Sequence, residues 1–560
     1  MNAQLSYPWL AQYPTAVKWD QPIPERAVHD ILAETVRLYG DRPGFDFMGR
    51  KHTWAQVGSL VDRMAKGLQG MGVVKGTRVG LFLPNCPFFV ISYYAVLKAG
   101  GTVVNLNPLY ATKELQHLVE DSGAEIVVTA NLAMLYDKIH DVLHVTGLRK
   151  LVMCKFAGAL PFPKNILFPL VKAKDIAKIQ HKGEHLWFHD IIKNDGKPKP
   201  VAINPREDVA VLQYTGGTTG VPKGAMLTHA NVSANVEQSS MWFHACKRGQ
   251  EKMLGVLPFF HVFAMTAVMN MSVRNALELI MLPRFELDAT LKLIDGKKPH
   301  YFPAVPAIYN AINNHPKLKE FNLTSLRYCI SGGAPLPVEV KKTFEANTGC
   351  VVVEGYGLTE SSPVVCANPI TGVNKAGSIG QPVPGTIVEI ISTEDKKTPV
   401  TRGERGELCV RGPQVMKGYW RKPDDSASVL TDGRLYTGDV AIMDEDGYVF
   451  IVDRIKDMII TNGYKVYPRN VEEAIYAHDA VEECIVAGIA DENRGEIVKA
   501  WIKPKAGRNI AQDELKDFLK NRISPMEIPK QIEIREEPLP KTMIGKLSRK
   551  DVLAQEKAAG

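Results

Sequence analysis

The run Tyr214-Thr-Gly-Gly-Thr-Thr-Gly-Val-Pro-Lys-Gly-Ala225 concentrates four glycines, three threonines and one lysine in twelve residues. Gly216, Gly217, Gly220 and Gly224 permit positive φ and close backbone approach. Successive free N–H groups in such a loop form a nest for an anion. Thr215, Thr218 and Thr219 add hydroxyl donors, Lys223 adds a mobile cation, and Pro222 stiffens the chain beside it. This composition suits a polyphosphate. It is not the G-x-x-x-x-G-K-[ST] loop of NTPases, because no Gly-Lys pair is followed by Ser or Thr at that spacing. The residues before it, 209–215, read as a buried strand, and an apolar piece at 225–227 follows. Thr228 then reads as the N-cap of a helix to about residue 243, so the loop does not open directly onto a helix.

Other clusters carry further chemistry. Val353-Glu-Gly-Tyr-Gly-Leu-Thr-Glu360 sets Tyr356 between glycines that allow close approach to a flat ring, and it ends on a carboxylate suited to Mg²⁺ beside phosphates. Ser331-Gly-Gly-Ala-Pro335, taken alone, reads as a glycine-rich turn. Leu257-Pro-Phe-Phe-His-Val-Phe-Ala264 surrounds His261 with apolar neighbours; alone, it reads as a core histidine sooner than as a catalytic base. Tyr436-Thr-Gly-Asp439 puts a carboxylate after what reads as a tight turn. Asp453-Arg-Ile-Lys-Asp457 is a polar junction, and Asn462-Gly-Tyr-Lys-Val-Tyr-Pro468 follows it. Pro540-Lys-Thr-Met-Ile-Gly-Lys-Leu-Ser-Arg549, taken alone, is a basic tail.

In this order the motifs resemble those of the acyl-adenylate-forming (AMP-binding) enzymes, and most of all those of bacterial long-chain fatty acid–CoA ligases. The resemblance runs from about residue 13 to about residue 553. It implies an enzyme that uses ATP, Mg²⁺ and CoA to turn a fatty acid into acyl-CoA through an acyl-AMP, releasing AMP and pyrophosphate. It implies that the glycine/threonine loop and Lys223 hold phosphates, and that Gly333, Ala334, Glu354, Gly355, Tyr356 and Gly357 surround the nucleotide. Thr359 would touch phosphate, Glu360 would hold the metal, Asp439 would accept from the ribose hydroxyls, and Arg454 would also contact the nucleotide. Lys546, just after Gly545, matches the mobile catalytic lysine, with Lys541 the weaker candidate. Lys456 matches the hinge, His261 borders the carboxylate substrate, and Gly463 would let the CoA arm pass. Phe-Phe-His lacks the aspartate that amino-acid-activating relatives carry there, which disfavours an amino acid substrate. Gly357 stands where acetate-activating relatives have Trp, which implies room for a longer acid. A medium-chain or aryl acid, or a carrier protein in place of CoA, are the alternatives. Homodimers are common among such enzymes.

These pieces need a scaffold. Upstream of the phosphate loop, helix patterns at 54 to about 68, 88–98 and 112 to about 120 alternate with strand patterns at 78–83, 102–106 and 125–129; Thr112 reads as a cap. That βαβ rhythm predicts a mainly parallel sheet covered by helices. Beyond residue 453 the pattern changes to a short α+β run. The expected class is therefore α/β: a large N-terminal domain of covered sheets over residues 1–453, a hinge at 454–457, and a small mobile α+β domain over 458–560.

Bulk properties narrow the classes. A chain of 560 residues with 45% hydrophobic and 23% charged residues suits a soluble multidomain protein. A net charge of +7, not concentrated on one module, argues against nucleic acid as partner. Eight scattered cysteines without metal spacing suit a reducing cytosol. No signal-peptide pattern and no membrane-length apolar run are seen, so the expectation is a cytoplasmic protein with at most peripheral contact at the inner membrane face. Residues 155–182 carry three prolines, six lysines and one acid. Proline interrupts helical amphipathicity, so the segment reads as a solvated surface excursion, with an anionic lipid surface as the alternative.

Overall fold

The computed structural model describes residues 7–179, 183–215, 222–491, 494–542 and 546–559. The upstream alternation folds as a seven-stranded sheet in the spatial order His185–Trp187, Lys150–Cys154, Ile126–Ala130, Arg78–Phe82, Thr102–Asn105, Val209–Thr215, Lys223–Thr228. Every neighbouring pair is parallel except the last, which is an antiparallel hairpin. Strand Ile126–Ala130 is buried at every position, as a parallel strand covered on both faces must be. Helix Pro87–Lys98 is buried along almost its whole length, and its Tyr94 hydroxyl donates to Asn270 Oδ1 at 2.6 Å.

A second sheet of nine strands runs, in spatial order, Gln381–Pro382, Val364–Ala367, Val351–Gly357, Tyr328–Ser331, Tyr301–Ala304, Lys252–Gly255, Glu278–Met281, Pro43–Phe47, Arg50–Thr53. A smaller antiparallel sheet carries Arg434–Met443 between Gly406–Arg411 and Val449–Arg454. Downstream, Val481–Asp491 and Gly495–Pro504 form a long antiparallel pair, with Gln531–Ile534 parallel on the second strand. One buried apolar cluster runs from Trp9 to Val449 and a separate one from Ile459 to Ile532. Between them Val440, Val452 and Tyr467 make a small contact cluster. A further separate cluster gathers Ile485, Ala487, Trp501, Leu539 and Val552.

Three local expectations are corrected. Ala111, not Thr112, precedes helix Thr112–Ser122, and its N–H donates to the Glu114 carboxylate at 3.0 Å. Asp439 does not follow a tight turn but lies within strand Arg434–Met443, where the register shifts beside Gly438 at φ +74°. Residues 164–171 form a helix in spite of Pro169. Proline removes one backbone hydrogen bond there but leaves the side-chain stripe in register. Among the described residues no helix is long and apolar enough to cross a membrane.

Candidate active site

The phosphate-loop hairpin is built by pairing, with Thr215 opposite Lys223. Residues 216–221 lie outside the described residues, and with them Gly216, Gly217, Thr218, Thr219 and Gly220. Thr228 caps helix His229–Trp242 reciprocally with Asn231, so the strand runs straight into a capped helix. The segment around Tyr419 pairs with this hairpin on its other edge, through Met226 N to Gly418 O at 2.8 Å and Trp420 N to Gly224 O at 2.8 Å. Tyr419 thereby reaches two predicted residues. Its hydroxyl donates to Glu360 Oε1 at 2.7 Å, and the Lys223 ammonium lies 5.4 Å from its ring centre. Lys223 also pairs with Asp425.

Glu360 stands in the turn Thr359–Ser361 that follows strand Val351–Gly357. Among the described residues no group of three or more His, Cys, Asp or Glu could hold a metal alone. One carboxylate beside a phosphate loop nevertheless fits Mg²⁺, which keeps waters and binds through one or two carboxylates plus substrate phosphates.

Across the cleft, the Tyr356 hydroxyl donates to Asp439 Oδ2. Asp439 and Arg454 are fifteen residues apart but are cross-strand partners, with Arg454 Nε 3.5 Å from Asp439 Oδ1. Burial raises the Asp439 carboxyl above its ordinary range, against the pull of Arg454. Burial also lowers the Lys546 ammonium to about 8, helped by Arg454 and opposed by Asp439. His261 is pushed down to about 4 by burial and then by Lys546, so its ring is neutral at working pH. Its Nδ1 accepts from Phe263 N at 3.3 Å, which caps a short helical turn. With Nδ1 accepting, the neutral ring carries its proton on Nε2 and is too weakly basic to take up a second one near neutral pH.

One cleft of about 1930 Å³ collects Thr215, Lys223, His261, Gly333, Ala334, Glu354 to Gly357, Thr359, Glu360, Asp439, Arg454, Lys456 and Lys546. Lys541 lines it too, but its ammonium pairs with Glu483. Glu354 holds the fold of the wall: its Oε1 accepts from Leu336 N at 3.1 Å, and burial pushes its carboxyl up to about 7. Gly463 does not line the cleft. With Asn462 it forms the exposed two-residue tip of a hairpin, at φ +48° and +79°, the turn that Asn-Gly favours.

Gly357 lines the cleft, and close packing against a neighbouring strand also holds it to glycine. A Cβ there would lie 2.0 Å from the Pro363 carbonyl oxygen and 3.1 Å from Val364 Cα on the paired strand. We therefore expect Gly357→Trp, and Gly357→Ala as well, to displace strand Val364–Ala367. Soluble yield and melting temperature should fall, and turnover should fall with acids of every chain length; a stable variant merely restricted to short acids would contradict this.

The family models agree with this assembly. The AMP-binding enzyme model matches residues 32–420, and that of the AMP-binding enzyme C-terminal domain matches residues 470–546.

The chain belongs to the AMP-binding enzyme family.

Among its relatives is a Bacillus subtilis (strain 168) long-chain-fatty-acid–CoA ligase, 45% identical over 99% of each chain. An Escherichia coli O157:H7 long-chain-fatty-acid–CoA ligase is 35% identical over 97% of each chain. Among solved structures, ATP-bound MatB from Rhodopseudomonas palustris superposes with a TM-score of 0.82 at 27% identity, over 95% of this chain and 99% of that one.

Several residues of this AMP-binding enzyme's cleft carried no signal in the sequence reading. Tyr419 lay outside every motif. Trp242, Phe243, Ala267 and Met271 add apolar wall from two distant helical stretches, the second containing a π-helical turn at Met265–Asn270. Arg549 closed a quoted motif but had no role assigned. Here its guanidinium meets Asp453 at 3.2 Å, Asp457 at 3.2 Å and Glu472 at 2.8 Å.

Proposed function

We propose that this chain is a long-chain fatty acid–CoA ligase working in two steps. The single observation that carries the reading is the full-length likeness to ligases of that name, 45% identical over 99% of the chain. The meeting of Lys546, Asp439, Arg454 and Tyr356 in one cleft supports it.

In the first step a fatty carboxylate oxygen attacks the α-phosphorus of ATP; the P–O bond to pyrophosphate breaks and acyl-AMP forms. Both reactants are anions, so catalysis is positioning plus neutralisation. Thr215, Lys223 and the glycine/threonine loop hold phosphates, and Asp439 with Arg454 orients the ribose. Lys546 puts a cation beside the reacting carboxylate and α-phosphate. Glu360 would hold Mg²⁺, which would supply neutralisation of the phosphate charge. In the second step the CoA thiol attacks the acyl carbonyl and AMP leaves with the former carboxylate oxygen. The domain over 458–560 turns about Lys456 between the steps, which withdraws Lys546 and brings the Gly463 hairpin in. The enzyme works in the cytoplasm, with peripheral contact at the inner membrane face.

The test is CoA-dependent AMP and acyl-CoA formation with acetate, octanoate, palmitate and benzoate. Turnover should peak at palmitate. A peak at benzoate or octanoate would move the substrate class. Pyrophosphate exchange without acyl-CoA would move the acceptor to a carrier protein.

A further inference from the structure

Helix Lys164–Val171 turns its apolar side to solvent. Ile166, Leu167, Leu170 and Val171 share one helical face and are 57, 48, 72 and 76% exposed; Phe162, just before the helix, is 79% exposed. A surface helix ordinarily buries such a stripe against the core. Here no residue of the helix is buried, and Phe168 alone makes a ring contact, 5.5 Å from Phe156. The excursion is nevertheless fixed at both ends. Phe156 is buried and meets Phe47 edge-on at 6.0 Å, while Ile176 bridges to Leu132 and Ala177 N donates to Asn131 O at 3.1 Å. The fold therefore holds the apolar stripe outward.

Lys164, Lys172, Lys174 and Lys178 are exposed and flank the stripe along the chain. Asp175 is the one acid between residues 155 and 179, and it already lies 3.4 Å from Lys172. Contiguous exposed apolar surface rimmed by charge marks an interaction site. We infer that this face docks the enzyme on an anionic lipid bilayer, the apolar side chains entering the acyl boundary and the lysines meeting the headgroups. The inference rests on the ligase reading above, whose long-chain substrate partitions into bilayers. Charge selects the occupant: a second copy pairing through the same face would set lysines against lysines, whereas an anionic bilayer offsets them.

The test uses the full chain in flotation with phosphatidylcholine vesicles, with and without phosphatidylglycerol, and reads octanoate turnover in solution on the same samples. Wild type should float with the anionic vesicles, less as salt rises, and about tenfold less with phosphatidylcholine alone. Ile166→Asp/Leu170→Asp and, separately, Lys172→Glu/Lys174→Glu should each weaken binding at least about tenfold while octanoate turnover stays at the wild-type level. Variants that float as well as wild type would overturn the inference. So would a wild type that ignores anionic vesicles but forms a dimer broken by Ile166→Asp/Leu170→Asp, which would assign the face to a second copy. Wild-type flotation failing with turnover intact sinks the docking inference alone. Turnover failing for every acid with flotation intact sinks the ligase reading and leaves the docking face standing.

Discussion

Lys546→Ala is expected to lower acid-dependent pyrophosphate exchange by about 10²- to 10³-fold, the range for removing one preorganised charge stabiliser. Thiolysis of supplied acyl-AMP by CoA should stay near the wild-type rate, because the proposed domain turn withdraws Lys546 before that step. The pH dependence follows from the cleft. Burial, and then Arg454, brings the Lys546 ammonium down to about 8. Its cation is therefore present below that pH and lost as pH rises through it. kcat/KM for exchange, which reports the free enzyme, should fall above about pH 8. Bound ATP favours the cation, so the kcat limb should sit at higher pH. Lys546→Arg should be slower than wild type and lack the limb, since a guanidinium stays charged. Equal loss of both half-reactions in Lys546→Ala would contradict a lysine that acts in one step only.

Arg549→Ala should weaken the region around the proposed hinge by about 1–3 kcal/mol, the usual cost of removing one partner from charged groups that stay partly hydrogen-bonded. Its guanidinium bridges Asp453 and Asp457, at either end of the proposed hinge, and Glu472 on helix Pro468–Tyr476. Asp453 is further held by Arg469 N at 2.7 Å and Arg454 N at 2.8 Å, so it is a fixed anchor on the hinge's upstream side. Lys546 stands three residues before Arg549, and its placement in the cleft depends on that anchor. Amide exchange in helix Pro468–Tyr476 should rise, and pyrophosphate exchange should fall. Arg549→Lys should not restore either, because one ammonium cannot span three carboxylates in a planar fork. Unchanged amide exchange in Arg549→Ala would show that the junction is held elsewhere.

Local features of this chain were legible because their causes are local. Strand Ile126–Ala130 and helix Trp54–Gly70 follow from an apolar run and from a helical pattern, each spelled within a few residues. The motifs likewise named part of the cleft, among it Lys223, Glu360, Asp439 and Lys546. What stayed hidden depends on register between distant strands. Asp439 meets Arg454 across a ladder, and Glu360 meets Tyr419 through a segment added to the phosphate-loop hairpin. Gly357 was legible as a glycine but not as the neighbour of Pro363, because that approach belongs to another strand. Helix Lys164–Val171 was masked by its prolines, which argue against a helix without forbidding a short one.

The most direct test of the two-step account follows an oxygen atom. With ¹⁸O in both carboxylate oxygens of palmitate, and with ATP and CoA present, each turnover should transfer one ¹⁸O to AMP, because the carboxylate oxygen stays on the α-phosphate when the thiol displaces it. Label in inorganic phosphate with ADP as product, or unlabelled AMP, would contradict an acyl-adenylate and with it the assignment of Lys546.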